Sequence, residues 1–121
     1  MAASKEVLNM PKFLIEASYT AEGLRGLAKD KASGRQAVVK EALASVGGKL
    51  DAAFFALGDT DVYILCDCPD HVSVAALSLA VSASGMVRTK TIPLMTVEEA
   101  DRALAMKLNY HAPGAGKAAK A

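Results

Sequence analysis

Aromatic residues are scarce in this chain of 121 residues, which contains no tryptophan, three tyrosines and three phenylalanines. Proteins that bind single-stranded nucleic acid stack bases on such rings. An excess of positive charge is also missing, since 14 lysines and arginines face 13 aspartates and glutamates and leave a formal net charge of +1. Because nucleic-acid binding depends on positive charge against the phosphates, we expect no nucleic-acid partner.

No stretch of the sequence has the roughly 20 apolar residues that a membrane-spanning helix needs. The first residues are polar and lack the apolar centre of a signal peptide. The chain has two cysteines, Cys66 and Cys68, which stand close together on one predicted strand, where a disulfide between them would be strained. Reduced thiols are typical of the cytoplasm, so we expect a cytoplasmic protein without a membrane partner.

Strand and helix patterns alternate along the chain, whose length fits one domain. Apolar runs and period-two alternation predict strands at residues 13–19, 50–57, 62–68 and 86–95. Helical spacing and helix start signals predict helices at residues 21–29, 35–46, 72–84 and 97–108, with an interruption at residues 31–34. We interpret residues 1–10 as a flexible leader, residues 11–108 as the domain and residues 109–121 as a mobile tail.

Short polar and glycine motifs mark the ends of these elements. Thr20 and Asp70 precede helices as N-caps, and Thr96 begins a capping box. Gly58 and Asp59 fit a two-residue hairpin loop between the second and third strands. The resulting order, β-α-β-β-α-β followed by a helix, predicts a ferredoxin-like α+β sandwich with its helices on one face of an antiparallel sheet.

Three of the predicted strands are apolar on both faces. Phe13 to Ile15 and Phe54 to Leu57 are apolar in succession, and Tyr63 and Leu65 alternate with other apolar residues. Since the helices cover one face only, the other face would expose a large apolar patch, which soluble monomers rarely tolerate. The alternatives are a second copy of the chain, face to face, or the C-terminal helix folded across this face. We expect the second copy, because one short helix covers little of a four-stranded sheet.

Four segments of the chain form a pattern that is known from one family. They are Pro-Lys-Phe-Leu-Ile-Glu-Ala-Ser-Tyr-Thr-Ala-Glu-Gly-Leu at 11–24, Gly-Gly-Lys-Leu at 47–50, Phe-Ala-Leu-Gly-Asp-Thr-Asp-Val-Tyr at 55–63 and Ala-Leu-Ser-Leu-Ala-Val at 76–81. With these segments the chain resembles the GYD-domain family, small bacterial proteins of the dimeric α+β barrel superfamily. The Gly-x-Tyr-Asp pattern that names the family stands here as Gly58, Asp59, Thr60 and Asp61, with threonine in place of the aromatic residue. The resemblance implies a ferredoxin-like domain assembled as a dimeric barrel or a higher homo-oligomer.

Four polar side chains on or beside the predicted strands form a candidate ligand-binding site: Asp61, Tyr63, His71 and Arg88. Arg88 would match a small anionic or polar-aromatic ligand, Asp61 would orient it, and the interruption of the first helix would be a gate. Arg88 shares one strand face with Lys90, and at an exposed sheet edge both would instead prevent aggregation. For Asp61, the alternative is a residue that hydrogen-bonds backbone amides near the turn.

Cys66 and Cys68, together with His71 and His111, have the ligand types of a soft metal site. We favour a role for Cys66 as a small, buried apolar residue, and we predict neither a metal nor a cofactor. The predicted function is a homo-oligomer that binds a small molecule between sheet and helices. The alternatives are a cofactor-poor oxygenase or isomerase, by analogy with the fold alone, and a purely structural assembly module.

Overall fold

The computed structural model describes residues 10–115 of the chain. The predicted leader, apart from its last residue, and residues 116–121 of the predicted tail lie outside this range. The described residues form β1 (Lys12–Tyr19), α1 (Ala21–Ser45), β2 (Lys49–Phe55), β3 (Val62–Asp67), α2 (His71–Ala83), β4 (Val87–Leu94) and α3 (Val97–Ala105). Apart from α1, each element ends within about three residues of its predicted bounds, a difference typical of helix and strand ends.

The strands form one antiparallel sheet in the order β2-β3-β1-β4. β1 pairs with β3 on one side and with β4 on the other, so β2 and β4 are the edges. Period-two alternation turns Phe13, Ile15 and Ala17 of β1 towards the helices, where all three are buried. Because α1 and α2 pack on this face, the predicted ferredoxin-like α+β fold is confirmed.

The helix α1 combines the two helices predicted between residues 21 and 46. The predicted four-residue interruption is reduced to Lys31, whose φ of 66° and ψ of 160° are not helical. Both ends of α1 are held in place: a Cβ at Gly23 would lie 2.2 Å from the Met86 carbonyl oxygen, and Leu43 is fully buried. The kink at Lys31 therefore lies between two fixed contacts.

The predicted helix ends rest on local hydrogen bonds. The side chains of Thr20, Asp70 and Thr96 each accept a hydrogen bond from the amide three residues later. Gly47 and Gly85 follow α1 and α2 with φ values of 80° and 75°, a conformation in which glycine avoids the penalty of a side chain. The predicted helix starts at Thr20, Asp70 and Thr96 are therefore confirmed.

The connection between β2 and β3 is longer than the predicted two-residue hairpin. The strands end at Phe55 and resume at Val62, and the Ala56 amide donates a hydrogen bond to the Asp61 carbonyl oxygen at 2.8 Å. Gly58 lies in the loop between them and has a φ of 126°, the positive value that a glycine there allows. The predicted loop length is wrong because the loop binds β1, a contact distant in sequence that is described below.

In the described part of the chain, no helix packs across the sheet face opposite α1 and α2. This open face includes Leu14, Leu65 and Ile92, side by side in the strand register, and Phe54, which is 69% exposed. The helix α3 buries none of its residues, so the C-terminal helix does not provide the cover considered above. No helix within residues 10–115 is long and apolar enough to cross a membrane.

Candidate functional site

A cavity of about 60 Å³ lies between the sheet and the helices α1 and α2. Its floor consists of apolar side chains from the covered face of the sheet, among them Ile15, Val62, Ile64 and Val87. Alternation along three strands brings these side chains to one surface. An apolar floor with a few polar groups in the walls is the composition typical of small-molecule sites.

The polar lining residues of this cavity are Tyr19, Arg35, Gln36, Ser78 and Thr89. Two of them already have partners across the boundary between α2 and β4. The Ser78 Oγ atom lies 2.7 Å from Thr91 Oγ1, and Thr89 Oγ1 lies 3.1 Å from Ser82 Oγ. These hydroxyl pairs hold α2 against β4, so the side chains of Ser78 and Thr89 serve first as a wall of the cavity.

Among residues 10–115, Arg35 is the one residue with a formal charge that lines the cavity. The nearest carboxylate is that of Asp30, whose Oδ2 atom lies 3.8 Å from Arg35 Nη1, beyond hydrogen-bond distance. The Asp30 side chain is 54% exposed, and ion pairs in such contact with water are weak. The Arg35 guanidinium therefore retains donors for another partner.

No sequence motif marks Arg35 or Gln36 as functional. Val38 is 46% exposed, whereas Val39 belongs to the apolar stripe of α1 and lines the cavity. Arg35, Val39 and Leu43 are spaced by four residues and so lie on one helix face. Reading the stripe back from Leu43 would have placed Arg35 beside the covered sheet face.

None of the four residues of the predicted site lines this cavity. Tyr63 and Arg88 belong to the open face, since β1 places them opposite Glu16 and Ser18 in the two strand registers. They therefore do not lie under α1. His71 begins α2 in a different part of the molecule.

His71 is exposed and packs edge-on against Phe13, with ring centroids 5.7 Å apart and planes inclined at 82°. This contact closes one end of the core beneath α2. The structure thus brings Tyr63 and Arg88 onto one surface and separates His71 from them.

The loop after β2 is bound to β1 at successive residues. Ser18 Oγ donates a hydrogen bond to the Asp59 carbonyl oxygen at 2.6 Å, and Thr60 Oγ1 donates one to the Glu16 carboxylate at 3.0 Å. These contacts fix the loop over the end of the sheet. They assign Asp59 a backbone role, as expected of a turn residue.

Asp61 completes the same set of contacts. Its carboxylate accepts a hydrogen bond from the Tyr19 amide at 2.8 Å, and its own amide donates one to the Ala17 carbonyl oxygen at 2.9 Å. The alternative reading of Asp61, as a residue that hydrogen-bonds backbone, is confirmed. Tyr19 in turn lines the cavity. The hydrogen bond from its amide to Asp61 therefore helps to hold this lining residue in place.

Both cysteines are buried and free. Burial, with a smaller contribution from neighbouring Cys68, raises the pKa of the Cys66 thiol to about 12. Burial is also the main cause that raises the pKa of Cys68. The reading of Cys66 as a small, buried apolar residue is confirmed. Within residues 10–115, no three His, Cys, Asp or Glu side chains converge in a group suited to a metal ion.

A second polar cluster lies at the end of β1 near Lys12. The Lys12 ammonium donates hydrogen bonds to Asp51 at 2.6 Å and to Asp67 at 2.9 Å. These two carboxylates raise the pKa of Lys12 above its usual value. The cluster ties the β2 edge of the sheet to its centre, since the three residues belong to β2, β1 and β3.

The strand order, the helices on one face and the bound loop after β2 define a ferredoxin-like α+β domain with a cavity between sheet and helices. A family model described as GYD domain matches residues 13–104, most of the chain. The chain therefore belongs to the GYD-domain family, as its sequence resemblance implied. No curated protein and no solved structure matches it.

Proposed function

We propose that this protein binds a small molecule in the cavity between its sheet and its helices, and that it acts as a homo-oligomer. The observation that carries the proposal is the cavity, an apolar space of about 60 Å³ with Arg35 among its lining residues. Packed protein interiors contain few voids larger than a water molecule. A lined space of this size between well-buried elements therefore favours a ligand as its occupant.

A variant that fills the cavity tests the binding part of the proposal. Ala53 lines the cavity, whereas Ala80 is exposed on α2, so Ala53→Leu and Ala80→Leu make the same change inside and outside it. We expect ligands found in a thermal-shift screen of the wild type to stabilise Ala80→Leu and to leave Ala53→Leu unchanged. A ligand at a hundred times its Kd stabilises a protein by about 2.7 kcal/mol, which such a screen detects. Equal stabilisation of both variants would place the site elsewhere.

The open face supports the oligomeric part of the proposal. Phe54 is 69% exposed, Tyr63 38% and Leu94 37%, and burying the exposed part of Phe54 alone would contribute on the order of 1–2 kcal/mol. Charge on this face is largely balanced within the chain. The Lys12 ammonium bridges two carboxylates, and Glu16 lies opposite Lys90 in the register of β1 and β4. Arg88 lies opposite Ser18 in the same register, so a second copy of the chain would have to leave Arg88 at the rim of the interface or pair it with a carboxylate of the partner.

Sedimentation velocity tests this association. The monomer mass is 12.5 kDa, and we expect the wild type at micromolar concentration to sediment with at least twice that mass. Leu65→Glu places a charge at the middle of the open face and should return the protein to a folded monomer. Val38→Glu, on α1 and 46% exposed in the wild type, should not change the mass. A folded wild-type monomer at this concentration would contradict the proposed self-association.

A further inference from the structure

We propose that the cavity takes a short-chain aliphatic carboxylate, with the carboxylate on Arg35 and the alkyl chain against the apolar floor. This proposal rests on the proposed function and deepens it, because it assigns the ligand a chemical class. Three observations support it: the size of the cavity, its apolar floor, and the lack of a hydrogen-bond partner for the Arg35 guanidinium within residues 10–115.

The size of the cavity limits the buried part of the ligand. A cavity needs roughly 10–15 Å³ to hold one water molecule, so about 60 Å³ leaves room for a group a few carbon atoms long, such as a short alkyl chain. The remainder of the ligand has to lie at the wall or the mouth of the cavity.

The floor of the cavity excludes a charged or strongly polar group at its inner end. Ile15, Val62, Ile64 and Val87 are all at most 9% exposed, and they offer no hydrogen bond to a ligand. Burying a polar group there without a partner would be costly. The inner end of the ligand must therefore be apolar.

Arg35, which lines the cavity, is the positively charged residue available to the other end of the ligand. Within residues 10–115, the Arg35 guanidinium forms no hydrogen bond, and its contact with Asp30 measures 3.8 Å. The planar guanidinium fits a carboxylate with two parallel hydrogen bonds. An amine would be repelled by Arg35, and an alcohol would form a weaker hydrogen bond with it. A carboxylate is the head group that this wall selects.

The three isoleucines of the chain provide reporters for the experiment. The side chains of Ile15 and Ile64 line the cavity, whereas Ile92 lies beside Leu14 on the open face. We would titrate the wild-type protein with butyrate, n-butanol and n-butylamine and follow the three δ1-methyl signals by NMR. Butyrate should shift the signals of Ile15 and Ile64 and leave that of Ile92 in place.

The relative affinities of butyrate, n-butanol and n-butylamine test the chemical class of the ligand. Butyrate should bind at least about tenfold more tightly than n-butanol, since hydrogen bonds to charged groups are stronger than neutral ones. n-Butylamine should bind most weakly. Each methylene removed from butyrate should weaken binding by up to about fourfold. Arg35→Gln should weaken butyrate at least about tenfold and leave n-butanol unchanged, whereas Arg25→Gln, at an exposed arginine of α1, should change neither.

The outcomes separate this inference from the proposed function. If butyrate and n-butanol both shift Ile15 and Ile64 with equal affinity, and Arg35→Gln has no effect, the carboxylate class is wrong while the cavity remains a binding site. If none of the three molecules shifts the signals of Ile15 or Ile64, both the carboxylate class and the proposed binding of a small molecule in the cavity are overturned. Should Arg35→Gln fail to fold, Arg35→Lys keeps the charge without the planar fork. It should then bind butyrate more weakly than wild type, and an unchanged affinity would contradict the inference.

Discussion

Replacing Lys31 by glycine should stabilise this protein or leave its stability unchanged, although the change lies inside a helix. Lys31 has a φ of 66° and a ψ of 160°, a conformation that costs a residue with a side chain on the order of 1–3 kcal/mol. Glycine adopts it freely but loses about 0.5–1 kcal/mol through its greater freedom in the unfolded chain. The expected net gain for Lys31→Gly is therefore between about 0 and 2.5 kcal/mol.

Lys29→Gly is the matched control. Lys29 is also an exposed lysine of α1, but Lys31 alone among the residues of this helix has non-helical dihedral angles. Glycine at position 29 should therefore destabilise the protein by about 0.5–1 kcal/mol. Lys31→Ala should show little effect, because alanine retains the strain of the positive φ.

Urea denaturation of the three variants measures these differences. All samples must have the same protein concentration, because self-association makes stability depend on it. In a domain of this size, a difference of 1 kcal/mol corresponds to roughly 4 °C in melting temperature, so heating provides a second readout. Equal destabilisation by Lys31→Gly and Lys29→Gly would refute the strained kink.

The other predictions concern the loop after β2 and the buried thiols. Asp61→Ala should lower the free energy of unfolding by about 1.5–3 kcal/mol, because the Tyr19 amide of β1 loses its hydrogen-bond acceptor. Asp59→Ala keeps its backbone contact with Ser18 and should stay within about 0.5 kcal/mol of wild type. Equal losses of stability in urea denaturation would contradict the structural role of the Asp61 side chain. Gly58→Val should cost about 1–3 kcal/mol by backbone strain alone, because no atom within 4 Å would meet the new Cβ; an unchanged melting temperature would count against the positive φ. Cys66 and Cys68 should resist Ellman's reagent at pH 8 until the protein unfolds, since only the thiolate reacts, and rapid reaction of the folded protein would contradict their burial. Because the folded pKa of Cys66 is raised to about 12 from 9.0, its contribution to stability should be complete below pH 9 and decline towards pH 12.

The fold followed from local signals in the sequence. Thr20, Asp70 and Thr96 are caps whose side chains bind amides only three residues away, and such contacts depend little on the rest of the molecule. Period-two alternation likewise paired Arg88 with Lys90 on one strand face. Which face the helices cover depends on distant contacts, so the sequence alone did not show that Arg88 lies on the sheet face opposite α1.

The candidate cavity depended on geometry that no local pattern specifies. Its volume reflects the distance between α1 and the sheet, which is set by the contact of Gly23 with the Met86 carbonyl and by the buried Leu43. The length of the loop after β2 was missed for a similar reason. Ser18 and Glu16 of β1 bind that loop from more than 40 residues away in sequence, and they extend it beyond a tight hairpin.

We infer that the covered face of the sheet encloses a ligand site. Isotope-filtered NOE spectroscopy tests it most directly, with labelled wild-type protein and butyrate in excess. We predict contacts from the butyrate methyl group to the δ1-methyl groups of Ile15 and Ile64, which line the cavity, and none to Ile92 on the open face. Contacts to Ile92, or the absence of contacts to Ile15 and Ile64 at saturating butyrate, would contradict the account.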